Sequence, residues 1–76
     1  MNGFLVELIH TMDDLPIRLC KTKAEAIRIA KRTAAMPTQK VREVFTTDAS
    51  TPICVNVTEF RDGVPIKRER VKCFRA

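Results

Sequence analysis

The chain contains no tryptophan and no tyrosine, only two glycines and a single histidine. Without the two larger aromatics it is poorly equipped to stack on single-stranded bases. With Gly3 and Gly63 as its only glycines, it holds no glycine-rich loop to cradle nucleotide phosphates. The lone histidine, His10, sits in a strand-like run, reads as half-exposed, and has no recognisable positioning acid, so neither a Ser-His-Asp nor a Cys-His pattern is present. No segment approaches the ~18 consecutive apolar residues that a membrane span requires. Met1-Asn2-Gly3 and the following Phe4-Leu5-Val6-Glu7-Leu8-Ile9 lack the basic start and small-residue cleavage site of a signal peptide, and read as a strand.

Cysteine is also sparse. Cys20, Cys54 and Cys73 make an odd count without the dense spacing of a secreted disulfide scaffold, which fits reduced thiols in a cytoplasmic protein. Together with His10 they form a Cys3His inventory, but no C-x2-C knuckle brings them close in sequence, so no metal site is expected. Cys54 and Cys73 can be near neighbours across a hairpin, which would permit an adventitious disulfide on oxidation.

What remains is a chain of 76 residues, 45% apolar, with four prolines and no low-complexity tract or internal repeat. That is one domain, residues 1–76, with a core that is real but thin. Self-association is a common remedy for a thin core, so a homodimer is one expectation. A net charge of +5 and a pI near 9.6 favour anionic partners through attraction that salt weakens. Cations exceed acids in both halves, so the excess is not confined to a basic tail.

The run from Gly3 to Thr11 is almost continuously apolar and is placed centrally in a sheet. Thr11-Met12-Asp13-Asp14 supplies turn formers, and Leu15-Pro16-Ile17-Arg18-Leu19-Cys20 returns as a strand with Leu15, Ile17 and Leu19 on one face; Pro16 assigns it to an edge. Thr22-Lys23-Ala24-Glu25 matches a helix capping box. Ala26, Ile27, Ala30, Thr33 and Ala34 then fall on one flank of a helix, Arg28, Lys31 and Arg32 on the other, and Met36-Pro37 ends it. The β-branched and aromatic content of Val41-Arg42-Glu43-Val44-Phe45-Thr46 predicts a third strand, and Thr47 to Pro52 a loop.

Two β-rich runs meeting at Asp62-Gly63 mark a final hairpin. A two-residue loop pairs Val57 with Arg68 and Val55 with Arg70; a longer one pairs Val57 with Ile66 and Glu59 with Val64 and needs a bulge within Lys67 to Arg70. The expected fold is α+β: an antiparallel sheet of four to five strands with one helix packed on one face, in the order β-β-α-β-β-β. Either Phe4, Val6 and Leu8 or Leu5 and Ile9 must then line the uncovered face.

Nothing in the pattern supplies catalytic machinery, a cofactor site or a small-molecule substrate site, so the expected function is a non-catalytic interaction module. It would bind a protein partner, or itself, through a sheet face or edge. The alternative is a nucleic-acid-associated protein that sets the cations of the C-terminal hairpin, Lys67, Arg68, Arg70, Lys72 and Arg75, with Arg28, Lys31 and Arg32 of the helix, against the phosphate backbone. The bland account of the same residues is a solvated face that guards a sheet edge. The four phenylalanines are expected in the core.

Overall fold

The structure is a computed structural model that describes residues 1–10, 14–45 and 52–74. Of the expected Thr11–Asp14 turn and Thr47–Pro52 loop, residues 11–13 and 47–51 lie outside the described residues, as does Thr46 of the expected third strand, whereas Asp14 and Pro52 begin strands. Strands β1 (Gly3–His10) and β2 (Asp14–Cys20) are followed by helices α1 (Lys23–Ala34) and α2 (Thr38–Phe45), then by strands β3 (Pro52–Arg61) and β4 (Val64–Cys73). The four strands form one antiparallel sheet in the order β2-β1-β3-β4. The apolar β1 is therefore central and the Pro16-bearing β2 is an edge, as their compositions require.

Helix α1 begins where its capping box places it. Thr22 has extended backbone, and its hydroxyl accepts the Glu25 amide at 3.2 Å. Ala26 and Ala30 are buried against the sheet, with Ile27, Ile29 and Ala34 packed around them. Small residues along this stripe let the helix axis approach the strands closely. On the sheet, Val6 and Leu8 of β1 pair with Val57 and Val55 of β3 and point to the same side. Val6, Leu8 and Val55 are fully buried, and each contributes roughly 1.5–3 kcal/mol relative to exposure. Phe74 completes this core just beyond β4.

The segment expected as a third strand is helix α2, and this corrects the element order to β-β-α-α-β-β. Its Val41 is fully buried while Val44 is exposed, so tertiary burial of one residue prevails over the β-branched propensity of the segment. Pro37 ends α1 yet suits the start of α2, because its carbonyl accepts the Val41 amide at 3.0 Å and no amide of its own is needed there. Val41 is fully buried in the same core as Ala30 and Leu8, so both helices cover one face of the sheet; Val44 is exposed.

The hairpin turn has two residues, and Asp62 and Gly63 both take positive φ (53° and 78°), the requirement of a mirror-image turn between twisted strands. Neither register considered from sequence persists along the whole hairpin. Arg61 pairs with Val64 and Phe60 with Pro65, but irregularities at Ile66 and Val71 then advance the partners. Val57 thus faces Glu69, and Val55 faces Lys72. Two bulges, not one, return Val71 to the core side. A bulge in β2 has a similar effect, because Ile17 packs into the core whereas Leu19 pairs with Leu5 on the opposite face, so Leu15, Ile17 and Leu19 do not share one side.

Candidate interaction surface

Antiparallel register assigns every inner-strand side chain to a face. Phe4, Val6 and Leu8 lie under the helices, so Leu5, Glu7 and Ile9 belong to the other face, beside Cys54, Asn56, Thr58 and Phe60 of β3. Among the described residues no helix crosses this second face. Leu19 joins it from β2, and Arg68 and Arg70 join it from β4, opposite Thr58 and Asn56.

The middle of this face is polar and closed. Thr58, fully buried, donates its hydroxyl to Glu7 Oε2 at 2.9 Å, and Glu7 is itself buried. The Cys54 thiol reaches Asn56 Oδ1 at 3.7 Å, and both residues are buried. Burial pushes the Cys54 thiol above its ordinary pKa, a rise that the neighbouring Arg70 guanidinium opposes. Around this polar centre sits an apolar border: Leu5, Ile9 and Phe60 are half-buried, and Leu19 is 45% exposed. Phe60 therefore departs from the expectation that the phenylalanines are core residues. Phe74 meets it fully and Phe4 in part.

The cations singled out in the sequence do not all share a surface. Arg68 and Arg70 face away from the helices. Lys67 and Lys72 pair with Glu59 and Val55 and so lie on the helix side, where Lys72 donates to the Ala34 carbonyl oxygen at 2.7 Å and its ammonium stands 5.7 Å from the Phe74 ring centre. Arg28, Lys31 and Arg32 are exposed on α1. Arg75 lies outside the described residues.

Acids are distributed unequally between the faces. On the helix side, Lys23 meets Glu69 at 3.6 Å, Arg18 meets Glu25 at 3.9 Å, and Arg61 meets Glu59 at 3.5 Å. Arg68 and Arg70 have no ion pair among the described residues. The sequence identified these two arginines but not their separation from the other cations. Strand alternation held the signal, and the two bulges of β4 concealed it.

His10 is buried, not half-exposed, with Nδ1 3.1 Å from the Leu8 carbonyl oxygen. It shares the helix side with Cys20, whereas Cys54 and Cys73 pair on the other face. Among the described residues no cluster of three or more His, Cys, Asp or Glu side chains is placed to hold a metal, and no helix is long and apolar enough to cross a membrane. Comparison with protein families, curated proteins and solved structures returns no match to this chain, so the functional reading rests on its surfaces alone.

Proposed function

We propose that this protein is a non-catalytic interaction module that docks an acidic, partly apolar protein segment on the sheet face opposite its helices. One observation carries the reading: Leu5, Ile9, Phe60 and Leu19 border this face beside Arg68 and Arg70, two cations without an ion-pair partner among the described residues. Apolar side chains on a face that no described helix covers supply area to bury. The arginines supply bidentate donors for carboxylates at its rim. A net charge of +5 favours an acidic partner over a second copy of the same chain, because two copies would bring like charge together.

The test is a titration followed by amide NMR with three ligands: a peptide of alternating Glu and Leu, the same peptide with Lys for Glu, and a short mixed-sequence DNA duplex. Binding of the acidic peptide should shift Leu5, Ile9, Leu19, Phe60, Arg68 and Arg70, and the combined Arg68→Glu and Arg70→Glu variant should abolish those shifts. A response to DNA alone, spread over Lys67, Lys72 and the helix cations, would replace this reading with phosphate-backbone binding. Equal response to both peptides would remove the role of the arginines.

A further inference from the structure

Cys54 and Cys73 are directly opposed on β3 and β4, and the hydrogen-bond pattern defines what kind of opposition this is. The Phe74 amide donates to the Ile53 carbonyl oxygen at 2.6 Å, so the bonded pair is the next one along and Cys54–Cys73 is a non-hydrogen-bonded pair. In such pairs the Cα atoms stand about 4.5 Å apart with side chains turned toward each other, within the roughly 4.4–6.8 Å that a disulfide spans. The Cys73 thiol and the Arg70 guanidinium are both near enough to act electrostatically on the Cys54 thiol. Cys73 is half-exposed, whereas Cys54 is buried.

We propose that Cys54 and Cys73 form an oxidative modification site, a thiol pair that hydrogen peroxide closes into a cross-strand disulfide. The half-exposed Cys73 sulfur attacks the peroxide, breaking the O–O bond, gaining one oxygen to become a sulfenic acid and releasing water. The Cys54 sulfur then attacks the Cys73 sulfur, the S–S bond forms, the S–O bond breaks, and the thiol proton leaves with the hydroxyl as a second water. Two thiols are oxidised and one peroxide is reduced to two waters. Burial raises the Cys54 thiol above its ordinary pKa, and the positive charge of Arg70 offsets part of that rise. The resulting bridge staples the end of β4, an edge strand, to its neighbour. This inference does not rest on the identity of the docked partner, although the thiol pair and Arg70 lie on the same sheet face.

The experiment exposes the native, reduced protein to hydrogen peroxide and follows it by intact mass and non-reducing peptide mapping. The expected result is loss of two hydrogen masses, one Cys54–Cys73 linked peptide that dithiothreitol reverses, and Cys20 left as a free thiol. In the Cys54→Ser variant, which is close in size and keeps a polar group beside Asn56, peroxide should leave a sulfenic acid on Cys73 that dimedone traps. Folding of that variant is checked by its circular dichroism. A native protein that gains oxygen without linking, links through Cys20, or couples only between chains overturns the proposal.

Discussion

Replacing Thr58 by valine removes one hydroxyl from a fully buried site at nearly constant volume, and so isolates the Thr58–Glu7 hydrogen bond. The Glu7 carboxylate would keep its burial and lose a donor at 2.9 Å. Hydrogen bonds to charged groups contribute about 1.5–3 kcal/mol, so Thr58→Val should destabilise the fold by about 2 kcal/mol. With a urea slope near 1 kcal/mol/M for a domain of this size, the unfolding midpoint should fall by about 2 M. Far-UV circular dichroism is the suitable probe, since the chain lacks tryptophan and tyrosine. Adding Glu7→Leu to Thr58→Val should restore most of the loss, because removing both partners relieves the buried charge. A midpoint change below about 0.3 M for Thr58→Val, or a double variant whose cost equals the sum of the singles, would refute this coupling.

Three other outcomes are expected. Leu8→Ala, at a fully buried position beneath the helices, should cost about 2–5 kcal/mol in the same urea assay. Gly63→Val should cost about 1–2 kcal/mol and raise amide exchange at the hairpin tip through backbone strain, since the site has positive φ and a Cβ there would meet only ordinary contact with Met1. Cys20 and Cys54 both have thiol pKa values pushed up from 9.0, in each case chiefly by burial. Their contribution to stability is therefore complete below that value and is lost as pH rises above it, because the unfolded chain releases these protons first. Urea midpoints should fall above about pH 9, and less steeply in a variant with alanine at both positions.

The sequence revealed features set by local chemistry. Thr22 and Glu25 mark the start of α1, Asp62-Gly63 marks the turn, and an apolar β1 beside a proline-bearing β2 indicates their central and edge places. It failed where tertiary context decides. Val41 and Val44 favour strands as isolated residues, but burial of Val41 in the core that also holds Leu8 and Phe74 accompanies helix α2, while Val44 stays exposed. Bulges at Ile17, Ile66 and Val71 leave no compositional mark, so the faces assigned to Leu19 and to the β4 cations could be read only from pairing. The pairing of Arg68 and Arg70 with an apolar border follows from that register. Phe60 was misplaced for the same reason, since a strand phenylalanine can lie on either side of the sheet.

The hairpin tip is held by the opposite end of the chain: the Gly63 amide donates to the Met1 carbonyl oxygen at 2.8 Å, and the Asp62 amide donates to Asn2 Oδ1 at 2.6 Å. This clasp, like the β1–β3 ladder behind it, joins residues separated by most of the polypeptide's length. Each such closure sacrifices chain entropy before contacts repay it, which slows the search for the native state. During synthesis β1 must wait with one side unmated until β3 emerges from the ribosome, and that interval is when this small protein is most vulnerable to clumping.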